Sequence, residues 1–129
     1  MRKFGKAMNV ALWVVSGLLA AFFLIGGVAK LVGLMDPVFS RWGYTLDTPR
    51  LLGTLELTGV LGLLFKRTAG WSAVGLGVIM LGALWTHLAH HEYIWTVAPI
   101  TVILLLGFVA WGRGLPVRTR APEESAARY

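Results

Sequence analysis

The chain has 129 residues, of which 57% are hydrophobic and 14% are charged, whereas soluble globular domains carry about 25% charged residues. This composition excludes an ordinary soluble domain and indicates a membrane protein. The net charge is +6, but the basic residues form no stripe with interleaved aromatic residues, so nucleic acid binding is not expected. The absence of cysteine excludes disulfides, thiolate metal sites and a cysteine redox relay.

Four apolar runs approach the ~20 residues that a helix needs to cross a bilayer. They extend from Ala7 to Leu34, from Leu51 to Phe65, from Ala69 to Ala89 and from Ile94 to Trp111. The first could be read as a signal peptide, but it is about twice as long as a signal-peptide core, which favours a retained helix. The second is the shortest. The pattern predicts an all-α fold, an integral membrane antiparallel four-helix bundle over residues 1–112 with a cytoplasmic, disordered tail over residues 113–129.

Lys and Arg are distributed unequally between the two ends of these runs. By the positive-inside rule, this bias places both termini in the cytoplasm and makes the protein a multi-pass protein of the cell membrane. The loop from Met35 to Arg50 then faces outward, and its Asp36-Pro37 pair ends the first helix. The basic residues on the cytoplasmic side are Arg2, Lys3, Lys6, Lys66, Arg67, Arg113, Arg118, Arg120 and Arg128, and those outside are Arg41 and Arg50.

Three ionisable side chains interrupt these runs: Lys30 in the first, Glu56 in the second and His87 in the third. Each charged group costs about 2.5–3.5 kcal/mol in hydrocarbon unless it is paired or hydrated. With antiparallel helices rising 1.5 Å per residue, all three lie within roughly 6–9 Å of the same membrane face. We therefore predict that they meet, with Thr86 beside them, as ligand-binding or proton-exchange residues.

Small residues three or four positions away from these side chains support this prediction, because such residues mark faces where membrane helices approach closely. They are Gly26 and Gly33 for Lys30, Gly53 and Gly59 for Glu56, and Ala83 for His87.

Other interpretations stay open. The stem of Lys30 could extend to the headgroups, or Lys30 and Glu56 could form a purely structural ion pair. No metal site is predicted, although His87 and His91 are candidates because positions four apart share a helix face.

Four segments together resemble the DoxX-like family of small four-helix membrane proteins, over about residues 10 to 110. They are Gly26 to Leu31, Phe39 to Tyr44, Gly53 to Gly59 and Gly82 to Leu88. The resemblance implies a lysine late in the first helix, a glutamate in the second and a histidine late in the third, matched here by Lys30, Glu56 and His87. Some members look like membrane subunits of a thiosulfate:quinone oxidoreductase, and others are linked to redox complexes or receptor assembly. We do not extend the thiosulfate activity to this chain.

Three functions are compatible with these observations. The first is an accessory subunit of a membrane redox complex with an intramembrane pocket for a quinone-like ligand, not itself an enzyme as an isolated chain. The second is a non-enzymatic subunit or assembly factor whose polar triad is structural, and the third is a small transporter. The expected partners are the lipid bilayer and either another membrane protein or a second copy of the chain.

Overall fold

The computed structural model describes residues 4–116, and within this range the regular structure is entirely helical. The basic residues Arg2 and Lys3, and the predicted tail beyond residue 116, lie outside the described residues. The helices are α1 (Lys6–Leu31), α2 (Asp36–Arg41), α3 (Asp47–Leu63), α4 (Lys66–Ala89) and α5 (Val97–Arg113), with a 3₁₀ helix (Tyr93–Thr96) directly before α5.

Within residues 4–116, three helical segments are long and apolar enough to cross a membrane: α1, α4, and the continuous stretch Tyr93–Arg113. Helix α3 has 17 residues, fewer than the ~20 that cross a bilayer without tilt or local thinning, and is not among the three. It begins four residues before the predicted apolar run, because Asp47 and Arg50 are helical although they are polar. Helix α2 occupies the loop that the Asp36-Pro37 pair predicted.

The core lies where α1, α3, α4 and α5 meet. Phe23 of α1, Leu63 of α3 and Val109 of α5 are at most 1% exposed there. In contrast, large apolar side chains such as Trp85 and Leu104 are 70% exposed on the outer surface. A helical protein that is apolar on both its inner and its outer faces is suited to contact with lipid. Membrane localisation is therefore supported by the surface as well as by the length of the helices.

Helix α1 contacts α3 most closely where two glycines face each other. A Cβ atom on Gly53 would lie 2.7 Å from the carbonyl oxygen of Gly27, so any side chain there would force the helices apart. The end of α1 packs against the first half of α3 in this way. At the other end of α1, Arg113 of α5 is buried and donates a hydrogen bond to Asn9 Oδ1 at 2.9 Å.

Helix α1 ends because Gly33 adopts a positive φ of +90°, a backbone conformation that favours glycine. The N–H of Leu34 then donates to the carbonyl oxygen of Ala29 at 3.0 Å. This turn reverses the chain so that α2 lies across the ends of α1 and α3. We call this end of the molecule, where α1 and α4 finish and α3 begins, the capped end.

Candidate functional site

Lys30 and Glu56 form an ion pair between α1 and α3 near the capped end. Lys30 Nζ lies 3.0 Å from Glu56 Oε1 and donates to Oε2 at 3.1 Å. Glu56 is 1% exposed and the Lys30 side chain 15% exposed. A Cβ atom on Gly26 would lie 3.6 Å from both Lys30 Nζ and Glu56 Oε2, which is ordinary van der Waals contact, so α1 packs directly against the pair at this position. The structure thus brings together two of the four site residues predicted from sequence.

A cavity of about 420 Å³ lies beside this pair, between α3 and α4 and beneath α2. Lys30, Glu56, Thr86 and His87 all line it, so the four predicted residues share one space. We refer to it as the polar cavity. Most of the remaining wall is apolar and comes from Leu52, Val78, Ile79, Met80 and Ala83. A few convergent polar groups in an otherwise apolar cavity are typical of small-molecule sites.

His87 forms neither a hydrogen bond nor an ion pair with Lys30 or Glu56. Its ring packs edge-on against Trp42, with the ring centroids 5.3 Å apart. Its Nδ1 atom is buried, has no hydrogen-bond partner and lies 3.6 Å from Glu92 Oε2. The His87 ring thus makes no hydrogen bond within the described residues, and the imidazole keeps the capacity to donate or accept one.

Thr86 holds an aromatic residue in place over the cavity. The Thr86 hydroxyl donates to the carbonyl oxygen of Gly82 at 2.9 Å, so its single proton is used. The Tyr44 hydroxyl, 2.8 Å away, must therefore be the donor to Thr86 Oγ1. This arrangement leaves the Tyr44 oxygen free to accept a hydrogen bond from the cavity side.

Three aromatic residues form a cover over the cavity, which we call the aromatic cap: Phe39, Trp42 and Tyr44. The ring centroid of Phe39 lies 5.4 Å from that of Trp42 and 5.9 Å from that of Tyr44. Phe39 is 5% exposed. The cap shields the ion pair from the capped end, which strengthens electrostatic interactions inside the cavity.

Arg50 anchors the cap to the helices below it. Its guanidinium donates to both carboxylate oxygens of Asp36, at 2.8 and 2.9 Å, and to the carbonyl oxygen of Lys30 at 2.6 Å. The hydrogen bonds from Arg50 hold the pKa of the Asp36 carboxyl below its usual value. Bidentate pairs of this kind are geometrically specific, so Arg50 fixes α2 relative to both α1 and α3.

Glu92 provides a second anchor from the connection between α4 and α5. It accepts a hydrogen bond from Trp42 Nε1 at 2.7 Å, and its Oε1 lies 3.7 Å from Arg41 Nη2. The hydrogen bond from Trp42, with smaller contributions from the charge of Arg41 and from His87, lowers the pKa of the Glu92 carboxyl. The cap is thus attached at both sides of the cavity.

The other two histidines, His90 and His91, do not line the polar cavity. His91 has a positive φ of 58° and its Nδ1 lies 2.8 Å from the Tyr93 hydroxyl, outside the polar cavity. His90 Nδ1 lies 2.8 Å from the carbonyl oxygen of Thr86 and must be the protonated donor there. Among residues 4–116, no group of three or more His, Cys, Asp or Glu side chains is placed to hold a metal ion.

Sequence reasoning did not predict Trp42, Tyr44 and Glu92 as site residues. The first two have a usable signal, because aromatic side chains in a short loop after Asp36-Pro37 are typical of a segment that packs over the ends of the helices. Glu92 gave no signal, because a carboxylate next to two histidines at a helix end is indistinguishable in sequence from a solvated loop.

Comparison with known proteins identifies a family relationship. The sequence model of the DoxX-like family matches residues 14–110 of the chain. This range contains α2, α3, α4, most of α1 and α5, and every residue of the polar cavity. No curated protein and no solved structure matches the chain.

Proposed function

This chain belongs to the DoxX-like family, and from this membership and the polar cavity we propose that it is an accessory subunit of a membrane redox complex. In this proposal the cavity binds the headgroup of a quinone-like ligand. The observation that carries the proposal is the convergence of Lys30, Glu56 and His87 on one cavity of about 420 Å³.

The chemistry of the cavity is suited to a ring that carries two carbonyl oxygens. The ammonium group of Lys30 has three protons, and the hydrogen bond to Glu56 Oε2 uses one of them. A second proton is available for one carbonyl, and His87 can donate to or accept from the other end of the ring. Glu56 and His87 then exchange protons with the ligand when a redox partner subunit supplies the electrons.

The proposed setting is an antiparallel four-helix bundle of α1, α3, α4 and α5 in the cell membrane, with the capped end outside and both termini in the cytoplasm. The pairing of Arg113 with Asn9 and of Lys30 with Glu56 supports opposite directions for α5 and α1 and for α1 and α3. The excess of basic residues at the end opposite the cap supports the orientation. Local thinning of the bilayer accommodates the 17 residues of α3.

Binding of a soluble short-chain quinone to the purified protein in nanodiscs tests the proposal. The His87→Phe variant is informative because His87 makes no hydrogen bond within the described residues and an aromatic ring at this position can still pack against Trp42. It also removes the 3.6 Å contact with Glu92. We expect saturable binding to the wild type, seen as quenching of tryptophan fluorescence, and at least about tenfold weaker binding to His87→Phe, as loss of one good hydrogen bond implies.

His91→Asn is the control, since His91 does not line the cavity and asparagine tolerates the positive φ at this position, and we expect it to bind as the wild type does. Absence of saturable binding to the folded wild type contradicts the proposal. Equal affinities of the wild type and His87→Phe for the quinone contradict the assignment of the quinone headgroup to this cavity.

A second candidate is a non-enzymatic subunit or assembly factor. This candidate is favoured because Lys30 and Glu56 compensate each other's charge and join α1 to α3 without any ligand. In this case Lys30→Met with Glu56→Leu leaves the function of the protein in cells unchanged, and the protein co-purifies with a membrane partner in mild detergent. Loss of function in the double variant, with co-purification unchanged, separates the first proposal from the second.

A further inference from the structure

A second, larger space lies between α3 and α4, on the side of the polar cavity away from the cap. It has a volume of about 680 Å³ and we call it the lateral groove. Val78 and Ile79 line both spaces, so the two meet along α4. Val78 is 63% exposed, and the groove is therefore open toward the lipid. Its walls come from α3 between residues 55 and 62 and from α4 between residues 68 and 79.

The groove is suited to hydrocarbon and not to a headgroup. None of its lining residues is ionisable. The Thr58 hydroxyl donates to the carbonyl oxygen of Thr54 at 2.9 Å, and the Thr68 hydroxyl donates to that of Gly62 at 2.7 Å. Both hydroxyl protons are thus used within the protein, and an apolar chain can lie against these residues without leaving a buried donor unsatisfied.

The two spaces together have the layout of a site for an amphiphile. The polar groups are confined to one end, and the groove continues from there along α4 to Trp71. The distance from Thr86 to Trp71 along the helix is about 22 Å at 1.5 Å per residue. A ligand with a ring alone fills only the polar end of this path, whereas a ring with a long flexible tail fills both spaces.

We propose that the lateral groove binds the isoprenoid tail of the quinone whose headgroup occupies the polar cavity, and that this ligand enters sideways between α3 and α4. This inference rests on the proposed function. It adds the class of ligand, a long-tailed membrane quinone, and the route by which that ligand reaches the buried ion pair. Val78 and Ile79 contact the junction between ring and tail.

Gly75 provides a direct test because the space around it is open. A Cβ atom there would meet no other atom within 4 Å, and Gly75 lines the groove, so the side chain of Gly75→Leu begins in open space at the groove wall. Leucine is also a better helix former than glycine. Gly107→Leu is the matched control: Gly107 is equally open, lies on α5 and does not line the groove.

The probes are a benzoquinone with a four-unit isoprenoid tail and the same ring without a tail, titrated into nanodiscs of defined phosphatidylcholine. We expect the tailed quinone to bind Gly75→Leu several-fold more weakly than the wild type, because the leucine side chain takes up space along the groove and the tail loses packing contacts there that lipid does not replace. We expect the tail-less ring to bind both proteins equally, and Gly107→Leu to resemble the wild type with both probes.

The possible failures are distinguishable. If neither probe binds the folded wild type, the proposed function and this inference are both wrong. If both probes bind but Gly75→Leu has the same affinity as the wild type for the tailed quinone, the ring site stands and the tail assignment is overturned. If a photoactivatable phosphatidylcholine chain labels Leu55 in the wild type and excess tailed quinone does not reduce this labelling, the groove binds bilayer lipid and the inference is likewise overturned.

Discussion

The buried ion pair is the residue-scale feature on which the candidate site depends. Glu56 is almost completely inaccessible, so its charge is tolerable only while Lys30 is beside it. Neither residue could be exchanged for an apolar one alone without leaving the other uncompensated. The pair is therefore both a structural contact between α1 and α3 and the source of polarity in the cavity.

Removal of either partner should destabilise the protein more than removal of both. We expect Lys30→Met and Glu56→Leu each to lower the free energy of unfolding in detergent by about 3–5 kcal/mol, as loss of one buried partner does. The double variant should lose less than the sum of the two. Lys66→Met, which removes an exposed lysine at the start of α4, should change stability little. Strictly additive losses would contradict a direct coupling of the two charges.

The presence of the ion pair was predictable from sequence, but its surroundings were not. Lys30, Glu56 and His87 stand out because each is polar within an apolar run. Counting 1.5 Å per residue from the helix ends places all three at a similar depth in the membrane. The partners of His87 depend on how α2 turns back over the helices. That turn is produced by the positive φ of Gly33 and the hydrogen bonds from Arg50 to Asp36, which hydropathy does not encode.

At the scale of elements, α2 and the connection before α5 close the capped end together, and Glu92 links them. The pKa of the Glu92 carboxyl is lowered below its usual 4.5, chiefly by the hydrogen bond from Trp42. A carboxylate with a lowered pKa contributes stability that is complete above pH 4.5 and is lost as the pH falls through the lowered pKa. Acid should therefore loosen this attachment of the cap.

Comparison of the wild type with Glu92→Gln tests this pH dependence. We expect the wild type to have the higher melting temperature at pH 7, because its carboxylate is ionised and accepts the hydrogen bond from Trp42. The difference should shrink progressively below pH 4.5 as Glu92 becomes protonated. Asp36 titrates in both proteins and does not affect the comparison. A difference that is constant from pH 7 to pH 3 would show that charge on Glu92 plays no part.

The contact between α1 and α3 makes a separate prediction at the same scale. Gly53→Ala should destabilise the protein by about 1–3 kcal/mol, the usual cost of overpacking, because the new methyl group meets the backbone oxygen of Gly27. Gly107→Ala on α5 has open space and should be neutral or slightly stabilising. Chemical denaturation of both variants measures the difference, and equal stabilities would exclude a tight approach at Gly53.

For the whole molecule, apolar runs predicted the long helices well because burial in protein and burial in lipid favour the same residues. Helix ends were predicted less well. Asp47 and Arg50 belong to α3, although a hydropathy scan assigns them to a loop, and the guanidinium of Arg50 is held there by Asp36 and by the carbonyl oxygen of Lys30. Tertiary contacts of polar residues therefore account for the largest boundary differences, and these are the same contacts that hold the cap over the cavity.

The proposed orientation in the membrane can be tested with single cysteines, since the sequence contains none. Thr45→Cys before α3 and Ile94→Cys before α5 lie at the capped end, whereas Phe65→Cys lies in the turn between α3 and α4. If the positive-inside rule applies, a membrane-impermeant maleimide added to intact cells labels the first two. It labels Phe65→Cys only after permeabilisation. The reverse pattern would place the capped end in the cytoplasm, and labelling of all three in intact cells would contradict a chain that crosses the membrane.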